Sequence, residues 1–119
     1  MKEGWTKYLV RLVEGALVVR FASPNPDSIE REKQRLENMG LEEGRHFTVK
    51  MPEEGRDGYV YIRREGLERA PWLSVYGSER QRELAAEFIE YILQRAEEEG
   101  EEVSEKAQKI VDEGVSRGR

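Results

Sequence analysis

The sequence predicts an α+β domain: a four-stranded antiparallel sheet in ββαββ order with helices on one face, followed by a C-terminal helix. Three patterns predict it. Two segments alternating with period two flank Glu14-Gly15, a second such pair lies near residues 46–51 and 59–63, and the stretches between and after them carry apolar residues at helical spacing. The order of the strands in the sheet is not readable from these patterns.

The first hairpin is the most specific of the three. With Glu14-Gly15 as a two-residue turn, Leu12 faces Leu17, Val10 faces Val19 and Tyr8 faces Phe21, which puts six large apolar residues on one side. Lys7, Arg11 and Arg20 then point the other way. In the second pair, Phe47, Val49 and Met51 oppose His46, Thr48 and Lys50, and Val60 and Ile62 oppose Tyr59, Tyr61 and Arg63. The face left open would display Lys7, Arg11, Arg20, His46, Lys50 and Arg63 with two tyrosines and no acid.

The helices follow from their ends. After the stiff Ser23-Pro24-Asn25-Pro26 segment, a helix over 28–39 is expected, capped by Asp27 or Ser28 and ended by Gly40, with a thin stripe of Ile29, Leu36 and Met39. Glu30 and Glu32 suit its positive end. Pro52 to Gly58 reads as a long hairpin loop. Residues 65–77 are too apolar for a free loop, and Pro71 argues for no more than a short helical turn there. Ser78 and Gln81 form a capping box for a helix over 79–99, whose broad stripe runs through Leu84, Ala85, Phe88, Ile89, Ile92 and Ala96. Gly100 then separates a helix over 102–113, with fraying expected from Gly114 onward. The expected organisation is therefore a ββαββα unit over 1–100 and a terminal helix with its tail over 101–119, which belongs to the same domain or contacts a partner.

Composition narrows the function classes. At 119 residues the chain is long enough for one core and too short for two. It has 37% hydrophobic and 38% charged residues, and the abundance of Glu, Lys and Arg resembles thermophilic surfaces. There is no cysteine, which removes disulfides, thiolate metal sites and thiol nucleophiles. No apolar run has the length of a membrane span, and the first residues lack a signal-peptide core, so a cytoplasmic protein without membrane association is expected. The net charge of −5 is uneven: residues 1–64 hold 12 bases and 11 acids, whereas residues 65–119 hold 8 bases and 14 acids. Acidity is concentrated in the C-terminal helices and does not forbid an anion-binding face elsewhere.

Bases neutralise phosphates and tyrosines stack on nucleobases, so the open face is the candidate nucleic-acid site: Lys7, Arg11, Arg20, His46, Lys50, Tyr59, Tyr61 and Arg63. DNA and RNA are equally served by that chemistry. No catalytic residue is expected, since His46 is the sole histidine and the paired glutamates lie in loops or on solvated helix faces. No metal or cofactor is expected, as the chain has no calcium-loop spacing, Walker motif or dinucleotide fingerprint. The alternative is a protein-interaction module or homodimer that uses the terminal helix through Val103, Ala107, Ile110 and Val111.

The segments FTVKMPEEGRDGYVYIRREGL and WLSVYGSERQRELAAEFIEYILQRAEEEG resemble the crenarchaeal PaREP family of multicopy repeated proteins, over roughly residues 40–117. That resemblance implies a hyperthermophilic archaeal source and supplies no site residues. The strand and helix order is also similar to one half of a LAGLIDADG homing endonuclease, in which a sheet face lies on DNA. Nothing before Trp5 can supply that family's motif helix with its metal-binding acid, so this second resemblance implies binding without cleavage.

Overall fold

The structure, a computed structural model, describes residues 8–117. In chain order it comprises β1 (Leu9–Val13), β2 (Ala16–Ser23), α1 (Pro26–Met39), β3 (Phe47–Lys50), β4 (Gly58–Ile62), α2 (Arg64–Tyr76), α3 (Glu79–Glu99) and α4 (Glu101–Arg117). The four strands form one antiparallel sheet in the order β1-β2-β4-β3. The fold is α+β with all helices on one side of the sheet, as the alternation requires.

The hairpin register is the one its apolar residues demand: Leu12 pairs with Leu17 and Val10 with Val19, and Tyr8 meets Phe21 with ring centres 6.0 Å apart. Glu14 and Gly15 both have positive φ (52° and 81°), the backbone a tight hairpin turn needs to match strand twist. Tyr8, Val10, Leu17 and Val19, with Val60, Ile62 and Phe47 from β4 and β3, are buried beneath the helices. Met51 departs from the pattern. β3 ends at Lys50, and Met51 is exposed rather than on the core face.

α1 starts earlier than its charge pattern suggests. Asn25, not Asp27 or Ser28, is the cap: its side chain accepts the Asp27 N–H at 2.9 Å while Pro26 opens the first turn, where a missing N–H costs nothing. Gly40 closes the helix in the left-handed conformation, φ 110°. α3 begins on the complete Ser78/Gln81 capping box and lays Ala85, Phe88, Ile92 and Ala96 toward the core.

The segment read as a short turn is the full helix α2. Pro71 lies inside it, buried, and the Ser74 hydroxyl donates to the Pro71 carbonyl at 2.6 Å. A helical proline costs about 3 kcal/mol locally. Here α2 is flanked by α3 and α4, and burying Leu67, Ala70 and Leu73 offsets that cost, each large side chain contributing roughly 1.5–3 kcal/mol. α4 also exceeds its expected bounds. Gly114, expected to begin the frayed tail, is buried against α2, where an added Cβ would meet the Glu68 carbonyl oxygen at 2.5 Å and Pro71 Cγ at 2.9 Å.

A polar network ties β1 to the helices. The Tyr8 hydroxyl donates to Glu32 Oε2 at 2.7 Å, and Glu32 is only 1% exposed. Its other oxygen lies 3.5 Å from Arg35. The Tyr8 N–H donates to the Tyr91 hydroxyl at 2.8 Å, and Arg95 donates to the Tyr8 carbonyl at 3.1 Å. Burial, reinforced by the neighbouring Glu32 carboxylate, pushes the Tyr8 phenol well above its ordinary value.

Candidate functional site

The register sorts the outward residues into rows. Arg11 stands opposite Val18; Leu9, Arg20, Tyr61 and Thr48 form a row across all four strands; Ala22, Tyr59 and Lys50 form the next. Because β1 and β3 are the sheet edges, Arg11 and Lys50 bracket a centre occupied by Arg20 and the tyrosines. Val18, Arg20, Thr48, Tyr59 and Tyr61 line an open depression of about 450 Å³. The Arg20 guanidinium lies over the Tyr59 ring, 4.9 Å from its centre, so the cation is held by a π-face. Arg11, Arg20 and Lys50 are exposed, and none pairs with a carboxylate among the described residues.

Thus five of the eight expected contact residues are brought together: Arg11, Arg20, Lys50, Tyr59 and Tyr61. Lys7 lies outside the described residues. His46 is a correction: it is 4% exposed and not on the open face. Alternation fails because β3 begins at Phe47 and the chain before it turns back: the His46 N–H donates to the Glu42 carbonyl at 2.8 Å, and the Glu42 N–H donates to His46 Nδ1 at 2.9 Å. Burial, aided by the nearby Arg45 charge, holds the imidazole below the ordinary histidine range. Arg63 follows β4 and is exposed, but its guanidinium donates to the Gly44 carbonyl, which aims it at the 42–46 turn.

The face is also less uniformly polar than its charges suggest. Leu9 and Val13 on β1 are 41% and 42% exposed, and with Val18 they put apolar surface around Arg11. Acids mark the ends of the strands instead: Glu14 in the first turn, and Glu53, Glu54 and Asp57 in the loop joining β3 to β4.

The expected partner seam of α4 is turned inward. Ala107 and Ile110 are buried, and with Val111 they line a cavity of about 20 Å³ walled by Leu17, Leu67, Ala70 and Phe88 among others. Val103 is half-buried against the same core. This packing within the chain occupies the apolar surface that the dimer reading needed.

Among the described residues no cluster of three or more His, Asp or Glu could hold a metal ion, and no helix is long and apolar enough to cross a membrane. Comparison with family models, with curated proteins and with solved structures finds no match to this chain.

Proposed function

We propose that this chain is a cytoplasmic nucleic-acid-binding domain that uses the open sheet face and carries out no chemical step on its ligand. The observation that supports it is the basic set of Arg11, Arg20 and Lys50, without carboxylate partners among the described residues, around two tyrosines in a chain whose net charge is −5. In an acidic protein, cations left without acid partners on one face are the groups a polyanion would neutralise. Phosphates would meet Arg11, Arg20 and Lys50, and Tyr59 and Tyr61 would contact bases or sugars.

The test is fluorescence anisotropy with labelled single-stranded and duplex probes of mixed sequence between 50 and 200 mM salt. Three phosphate contacts give a slope of log affinity on log salt of about −2 for a single strand and about −2.7 for a duplex. Replacing Arg11, Arg20 and Lys50 together by Ser should abolish most of that slope. Failure of both probe types to bind at 50 mM salt would refute the reading, as would a slope indifferent to the triple substitution.

A further inference from the structure

We propose that the ligand of the open face is a single strand, with an unpaired base stacked on Tyr61; this rests on the nucleic-acid reading just made and narrows it. The cations form one line. Arg11 on β1, Arg20 on β2 and Lys50 on β3 step diagonally across the sheet, each about two residues further along the strand direction, with the β4 tyrosines between the last two. At about 4.8 Å per strand spacing and 3.3 Å per residue, the line is about 19 Å long. Aromatic side chains on a four-stranded sheet can stack two or three bases of a single strand.

A duplex asks for a different layout. It presents two phosphate walls on either side of a groove about 12 Å wide, so a protein face reading it needs two basic rows. Here the flanks of the single line are the wrong chemistry. Exposed Leu9 lies on one side of the line and exposed Val13 with half-buried Val18 on the other, and beyond the strand ends lie Glu14 at one extremity and Glu53, Glu54 and Asp57 at the other. A second phosphate backbone would settle on apolar side chains or against carboxylates.

The tyrosines add an independent argument, because a π-face is useful only to a base whose own face is free, and paired bases in a duplex have both faces covered by their neighbours. The two rings are not equivalent. Tyr59 is already covered by Arg20, whereas Tyr61 has no aromatic or cationic partner among the described residues. Tyr61 sits in the row between Arg20 and Thr48, on the floor of the depression, with Val18 beside it. A base stacked there would place its flanking phosphates toward Arg20 on one side and Lys50 on the other.

The experiment measures anisotropy at fixed low salt with a 12-nucleotide deoxythymidine strand, a 12-nucleotide uridine strand and a 12-base-pair duplex. Each is tested against the unaltered chain, Tyr61→Leu and Tyr61→Phe. Tyr61→Leu keeps an apolar side chain while removing the ring, and Tyr61→Phe keeps the ring; thermal melts check that both remain folded. Single strands should bind at least tenfold more tightly than the duplex. Tyr61→Leu should lose tenfold or more of that affinity and Tyr61→Phe should retain it. The comparison of thymidine and uridine strands tells DNA from RNA as the source of the base. Duplex binding equal to or tighter than single-strand binding, still lost with the basic triple variant, would overturn the single-strand assignment and leave the parent reading standing. Single-strand binding indifferent to Tyr61→Leu would overturn the stacking site. Absence of binding to every probe would overturn both readings at once.

Discussion

Changing Tyr8 to Phe removes one hydroxyl and little else. The ring keeps its neighbours, since Phe21, Phe88 and Tyr91 surround it at centre distances of 6.0, 5.9 and 6.3 Å. What is lost is the 2.7 Å bond to Glu32 Oε2, the acceptor on a carboxylate that is 1% exposed and whose other oxygen lies 3.5 Å from Arg35. A hydrogen bond to a charged group contributes about 1.5–3 kcal/mol, and the orphaned carboxylate cannot recover it from water. The expected loss is therefore about 2–3 kcal/mol, or roughly 8–12 °C in Tm for a chain of this size. Urea unfolding followed by far-UV circular dichroism measures it as a shift in midpoint at constant slope. The double variant Tyr8→Phe with Glu32→Leu should be more stable than the two single losses added together, because it removes donor and acceptor at once. A Tyr8→Phe loss under about 0.5 kcal/mol, or strict additivity in the pair, would refute the view that the hydroxyl is what satisfies Glu32.

Three further outcomes follow from the geometry. His46, the sole histidine, has its protonation disfavoured by burial, so the unfolded chain binds the extra proton first as pH falls. Stability should decline from about pH 7 downward through the ordinary histidine range and level off below the lowered folded value, by at most about 1.4 kcal/mol per pH unit, and His46→Gln should flatten chemical denaturation midpoints between pH 5.5 and 7. Gly66→Ala gains about 1 kcal/mol of helix propensity but drives a methyl group to 2.2 Å from the His46 carbonyl oxygen, so a net loss of about 1–2 kcal/mol is expected in urea melts; a stabilised variant would show that α2 is free to shift off the sheet. Ser78→Ala deletes the cap acceptor of the Gln81 N–H and should cost about 1 kcal/mol by the same measurement, whereas Ser78→Asp should cost little.

The parts of this fold that were legible are those decided by neighbouring residues. The first hairpin follows from period-two alternation around a turn whose chemistry fixes register, and α3 from a capping box and a long stripe. Arg11, Arg20, Lys50, Tyr59 and Tyr61 could be assigned to one face for the same reason, since strand parity is local. The illegible parts depend on distant packing. Nothing near Pro71 announces a helix, because what offsets its local cost is burial between α3 and α4. Glu32 looks like any solvated helix residue until Tyr8, 24 positions away, is brought onto it. His46 obeys the alternation in the text but lies one residue before β3 begins, where the turn and not the pleat decides its direction. Strand order escaped because two hairpins specify pairs and leave open which edges meet.

At Tyr8 the backbone just before β1 has both its N–H and its carbonyl engaged by side chains of α3, from Tyr91 and Arg95, 83 and 87 positions later in the chain. On a ribosome this sets a long delay. β1 is made well before the groups that complete its polar contacts and the helices that roof Tyr8, Val10 and Leu17. Until then the hairpin offers a bare apolar face and two open edges to the surroundings, the kind of surface that recruits neighbouring chains. A message truncated before residue 79 would yield a product lacking that roof, so the vulnerable surface during synthesis lies in the β1–β2 hairpin even though the missing stabilisation resides in α3 and α4.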